Sequence, residues 1–188
     1  GYIDRAFSDL RSYYVSGAYI RGKSSLRFTT FSGKEKTYQA WYGVPASELA
    51  NNRTFNPAGS EKSGDPYNNQ TDNYTQTHYQ LFFNHQLAKN LDLQVTNYYT
   101  KGAGYYEEYK SGVDLADYNI VTNGKIGVPT DIVRRRWLDN QFYGQIAAIS
   151  YKDSVNEFTA GGGWTVYDGL HFGTLPYLTQ NLAPANFK

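Results

Sequence analysis

The 188-residue chain has no cysteine and no methionine. Without cysteine there is no disulfide framework, no thiol nucleophile and no thiolate metal site. Net charge is almost as scarce: 18 Lys and Arg stand against 17 Asp and Glu, leaving +1. No field of one sign draws nucleic acid or an acidic partner to such a chain. Mean hydropathy is -0.64, and no apolar run approaches the about 20 residues that a membrane helix needs. That excludes helical spans only. A transmembrane barrel carries its lipid-facing residues at alternate positions, so its average reads like that of a soluble protein. A basic stretch followed by an apolar one, the mark of an export signal, is also lacking, and the sequence reads as an interior piece of a longer polypeptide.

Aromatic residues are what the chain has in excess: 19 Tyr, 10 Phe and 3 Trp, or 17%. Tyrosine suits a surface that is apolar at one end and wet at the other. Two architectures fit, a barrel wall in a membrane and a Tyr-rich soluble β-sandwich.

Alternation separates them. Tyr13, Val15, Gly17 and Tyr19 alternate with Ser12, Tyr14, Ser16 and Ala18, and a polar turn at Arg21-Gly22-Lys23 leads to Leu26 and Phe28. Tyr79, Leu81 and Phe83 oppose Gln76, His78, Gln80 and Asn84; after Ala88-Lys89-Asn90 come Leu91, Leu93, Val95 and Tyr99, with Asn97 breaking the apolar face. Phe158, Ala160, Gly162, Trp164 and Val166 follow a turn at 152–156. In 141–151 both faces carry apolar residues, so its outward face is left unassigned.

The pattern predicts an all-β antiparallel meander of about six strands near 11–20, 24–32, 74–86, 92–101, 141–151 and 157–167. Long loops cover 33–72, 102–140 and 168–188, with one short helix at Pro45–Ala50. Short turns fall on one edge and long loops on the other, the layout of an outer-membrane barrel; soluble sandwiches mix loop lengths at both ends. Leu26, Phe28, Tyr79, Leu81, Phe83, Leu93, Val95, Phe158, Trp164 and Val166 are expected to share the lipid face.

Several stretches resemble TonB-dependent outer-membrane receptors, active transporters of iron chelates, cobalamin and some glycans. They are Ser32–Trp41, Asn69–Tyr74, Gly104–Tyr109, Arg134–Asn140, and Gly161–Trp164 with Tyr167-Asp168-Gly169. The likeness runs over most of the chain, in order. It implies that 1–188 is part of a barrel of about 22 strands, without plug or TonB-engaging segment. The implied function is import of a scarce ligand, an iron chelate (siderophore) first, across the bacterial outer membrane with energy from TonB. Implied partners are the TonB complex, reached through parts of the chain not present here, the protein's own plug, outer-membrane lipid and lipopolysaccharide, and a surface lipoprotein. The competing reading is a soluble β-sandwich that binds carbohydrate.

Neither catalysis nor a cofactor is expected. His78, His85 and His171 are not at ligand spacing, and no nucleophile motif or phosphate-cradling loop appears. Glu107-Glu108 could hold a cation through oxygen ligands or be a solvated acidic pair. Arg134-Arg135-Arg136, followed by Trp137, is the densest cation cluster. In a strand, Arg134 and Arg136 point one way and Arg135 the other, so one face could meet an anionic substrate and the other lipopolysaccharide phosphate. Alternatively, these arginines pair with acids such as Asp131 or Asp139. Tyr38, Trp41, Tyr42, Tyr105 and Tyr106 complete the candidate ligand-binding set, as a vestibule or as packing near the rim.

Overall fold

The computed structural model describes residues 2–120 and 129–178, and the backbone of 185–187. These form one antiparallel sheet in which each strand neighbours the next in sequence. Six long strands, β1 (Ser8–Arg21), β2 (Ser24–Tyr38), β3 (Thr71–Ala88), β4 (Leu91–Asp114), β5 (Pro129–Lys152) and β6 (Glu157–Leu178), are followed by a three-residue β7 (Ala185–Phe187) on β6. The meander and the all-β class are those the alternation predicts.

The loops are shorter than expected because the strands run on. β4 continues to Asp114 rather than ending near 101, β5 begins at Pro129 rather than 141, and β6 reaches Leu178 rather than 167. The expected loop 168–188 is therefore strand over Asp168–Leu178, and residues 179–184 of it lie outside the described residues. In these extensions apolar residues fall on both faces of the sheet, as at the neighbours Trp137 and Leu138 and at Ile132 and Val133, so no alternation is left to read. Two irregularities bend these extensions. Between Lys110 and Val113 the register slips around Gly112 (φ +60), whose N–H donates to Asp131 at 2.9 Å. Opposite Arg134 a second slip accommodates Pro176, which has no N–H to give the ladder. Pro45–Ala50 forms turns, not the expected helix. The helical piece is instead a 3-10 turn, Leu115–Tyr118, capped by Asp114, which accepts the Ala116 N–H at 2.8 Å. It packs on the compact apolar cluster Leu115, Ile132, Leu175 and Leu178, at the loop end of the sheet.

Residues opposite one another in antiparallel register share a face. One row joins Val15, Thr30, Tyr79, Tyr99, Tyr143 and Val166 across β1 to β6. Four residues toward the turns, another joins Tyr19, Leu26, Phe83, Val95, Ala147 and Gly162. All ten residues expected on the lipid face lie on this one face, and Tyr143, Ala147, Ile149 and Tyr151 assign β5 to it as well. Between those two rows the face carries no charge. Its interior amides, Asn97 and Gln145, are register partners, and Gln145 donates to Asn97 at 2.8 Å. Four aromatics run across it from β3 to β6: Tyr79–Tyr99 at 6.1 Å, Tyr99–Tyr143 at 6.5 Å and Tyr143–Trp164 at 6.2 Å between centroids. Tyr13, one row higher on β1, extends the line.

The three hairpin turns lie together at the other end. Gly22 supplies the positive φ (56) of the first; Lys89-Asn90 makes the second. In the third, Asp153 Oδ1 accepts the N–H groups of Val155 at 2.8 Å and Asn156 at 2.7 Å.

Candidate functional site

At the loop end β4 outruns β3. Asp72 is the last β3 residue opposite β4, across from Tyr106, and the next β4 carbonyl, Glu107 O, is taken by the Gln39 side chain at 3.2 Å. Residues 39–70 fill the space beside this free edge. Tyr38 is buried (3%) and donates to Tyr67 O at 2.5 Å, while Arg5 donates to the Tyr38 hydroxyl at 3.0 Å and to Asn56 O and Ala58 O at 2.5 and 2.8 Å. Asn56, 1% exposed, ties Asp4 O and Gln39 O together. The loop is thus stitched to the sheet by buried polar bonds, each satisfied group avoiding a desolvation cost of about 1–3 kcal/mol.

The two charged pairs singled out in the sequence turn out to be register partners. Glu107 faces Arg135 and Glu108 faces Arg134, with contacts of 2.6 Å in both. Glu107, 2% exposed, also accepts from the Tyr67 hydroxyl at 2.6 Å and from the Asn69 amide. Burial, then that bond, pushes the Tyr67 phenol well above its ordinary range. Arg134 also reaches the Tyr118 hydroxyl at 3.0 Å. The acidic pair therefore neutralises arginines rather than standing solvated. Asp131 and Asp139, the partners anticipated for the arginines, are engaged elsewhere. Asp131 accepts from Tyr109 at 2.5 Å, which lifts that phenol to about 12 and, with the Gly112 N–H, lowers the carboxyl. Asp139 pairs with Lys101.

The remaining candidates divide. Arg136 is exposed and has no carboxylate partner among the described residues; its Nη1 donates to the Tyr106 hydroxyl at 2.8 Å. Tyr105 is sandwiched on the opposite face, with Trp137 at 4.5 Å and the Arg135 guanidinium 4.5 Å from its centroid. Phe172 continues that stack 5.8 Å beyond Trp137. Trp41 and Tyr42 are exposed, 5.9 Å apart, on the loop. So Arg136 and Tyr106 share the polar face, Tyr105, Trp137 and Arg135 the other, and Tyr38 is interior packing.

Sequence reasoning passed over the polar face itself. One row there joins Tyr14, Phe31, His78, Thr100, Phe142 and Tyr167. Tyr14 and Phe31 stack at 6.3 Å, Phe31 and His78 at 4.3 Å, and His78 Nδ1 bonds the Thr100 hydroxyl at 2.9 Å. The signal was present: each sits in antiphase to an apolar-face residue. Above this row a concavity of about 510 Å³ is lined by Leu10, Phe31, Glu35, Tyr74, Gln76 and His78. An adjoining one of about 320 Å³ adds Asp72, Tyr106 and Arg136. Burial, and secondarily Glu35, raises the Asp72 carboxyl. Tyr74 lies flat across β4 because Gly102 and Gly104 leave room: a Cβ at Gly104 would come within 2.7 Å of its ring. Among the described residues no group of three or more His, Asp or Glu is placed to hold a metal ion. The arrangement offers an aromatic wall, neutral amides and hydroxyls, two carboxylates and one guanidinium that meets no carboxylate among the described residues, which suits binding.

No family model, no curated protein and no solved structure matches the chain.

Proposed function

We propose that the chain is part of the wall of a large transmembrane β-barrel of the bacterial outer membrane, a TonB-dependent receptor that imports a scarce ligand, an iron chelate first. Its polar face then lines the lumen, where the parent protein's plug sits, and the TonB complex acts through other parts of the polypeptide. The observation that carries the reading is the uncharged apolar face bordered by the line Tyr79, Tyr99, Tyr143 and Trp164. Barrels in lipid have such a band, about 25 Å tall, with aromatic girdles. From Leu91 to Tyr99 β4 rises about 26 Å at about 3.3 Å per residue, or about 20 Å of height at about 40° of tilt. With a barrel of about 22 strands, the six long strands are about a quarter of the circumference.

The soluble carbohydrate-binding sandwich would need a second sheet over one face; the described residues form a single sheet. What favours a sugar as ligand is the Tyr14–Phe31–His78 row among neutral amides. The test is reagent access in the full-length protein: cysteines at Leu81 and Phe158 should be shielded by lipid, and one at Gln80 should react with a water-soluble maleimide. Fast reaction at Leu81 and Phe158 would overturn the membrane reading.

A further inference from the structure

The sequence leaves open which side of the Arg134–Arg136 run meets lipid phosphate; the register puts Arg135 on the apolar face, but Glu107 neutralises it and the stack on Tyr105 and Trp137 covers it. Another cluster is better placed. On the apolar face, directly above Tyr13 and its partner Ser32, Arg11 pairs in register with Lys34; one step higher Asp9 pairs with Lys36. We infer that Arg11, Lys34 and Lys36 form a binding site for the phosphate groups of an outer-leaflet glycolipid. This rests on the membrane reading above and names the lipid contact of that wall.

Height, charge and availability support it. The cluster begins two residues above the tyrosine line, about 7 Å along the strand or about 5 Å of height at barrel tilt. The headgroup layer occupies about 5–8 Å on each side of the hydrocarbon. Three cations stand here against one carboxylate, Asp9. Farther round the same face Lys101 is matched by Asp139, with Asp168 in the row of Lys101, so positive charge collects on β1 and β2 alone. Arg11 meets Asp9 through two long contacts, Nε to Oδ1 and Nη2 to Oδ2, both 3.3 Å, in an exposed pair with 78% of the Arg11 side chain open to solvent. An ion pair of that kind contributes little and yields readily to a phosphate, which a guanidinium can grip with two parallel bonds. Lys34 is exposed, and Lys36 keeps one contact, to Asn69 Oδ1 at 3.1 Å.

The experiment uses the full-length protein in neutral detergent, with diphosphorylated lipid A as probe and native mass spectrometry as readout. Retention of lipid A is expected to fall on the order of a hundredfold in the triple variant Arg11→Gln, Lys34→Gln, Lys36→Gln, from roughly fivefold per cation. The pair Lys23→Gln, Lys89→Gln at the opposite rim should leave it unchanged, and dephosphorylated lipid A should bind wild type as weakly as the triple variant. Equal retention by wild type and triple variant, or displacement by millimolar inorganic phosphate alone, overturns the site. A cysteine at Leu81 assayed in parallel separates the two levels. If it is lipid-shielded while the variants bind equally, only the site is wrong; if it is water-exposed, both fall.

Discussion

A single arginine moved along β4 measures which face meets lipid, and how deep. Val95 lies near the middle of the apolar band, four residues below Tyr99 and four above Leu91, and its register partners are Phe83 and Ala147. Gln94 is its neighbour on the same strand, pointing to the other face. An arginine at the bilayer midplane of a barrel costs about 2–4 kcal/mol, falling to about 0–1 near the interface. Val95→Arg should therefore lower the folding constant of the full barrel roughly thirtyfold to eight-hundredfold. Gln94→Arg should cost little, because that side meets water or plug. Thr75→Arg, on the apolar face but above the aromatic line, should also be mild; the protein already keeps Lys34 and Lys101 at about that level. The assay is reversible urea unfolding in bilayers of defined thickness, followed by tryptophan fluorescence and by the folded-band shift on unheated gels. Equal cost at Val95 and Gln94, or a greater cost at Gln94, would refute the face assignment. A cost that did not fall from Val95 to Thr75 would refute the band.

Asn97→Leu alone strands the Gln145 amide in lipid and should cost about 1–3 kcal/mol, whereas the double change with Gln145→Leu should be near neutral; a urea double-mutant cycle reads the difference. Glu107→Ala leaves Arg135 uncompensated and frees Tyr67 and Asn69, a loss of about 3–5 kcal/mol for a largely buried pair, and should show as rapid proteolysis within 39–70; an unchanged cleavage pattern would argue that the loop is held otherwise. Asp153, depressed to about 2 by the N–H groups of Asn156 and Val155, supports its turn fully above the ordinary carboxylate range; that support should vanish as pH falls from about 4 toward 2, seen as faster amide exchange at Val155, while pH-independent exchange would contradict it. Residues 1–188 expressed alone should aggregate, since β1 has an open edge that recruits other strands; a soluble monomer with a cooperative melt would overturn the single-layer wall.

The alternation of apolar residues determined the strand order, the rim that holds the turns, and which residues share the apolar face. Side chains in a strand alternate with period two, and one solvent per face makes that period visible in the sequence. The same rule left 141–151 unassigned, since Phe142 and Ile146 are apolar on the polar face; only the register of β4 against β5 decided that Tyr143, Ala147 and Ile149 belong with Val95 and Tyr99. It was silent beyond the band, where apolar residues such as Ile132, Val133, Trp137 and Leu138 fall on both faces and β4 to β6 run on by about ten residues. The candidate site was least legible of all. Glu107 and Arg135 are 28 positions apart, and Gln39 and Glu107 are 68 apart; no local pattern links such residues, because their meeting depends on how far each strand extends and where its neighbour stops. Composition and spacing could name the arginines. Tertiary register alone decided that two of them are neutralised by Glu107 and Glu108, that Arg136 meets no carboxylate among the described residues, and that Arg11, Lys34 and Lys36 gather in two neighbouring rows of one face.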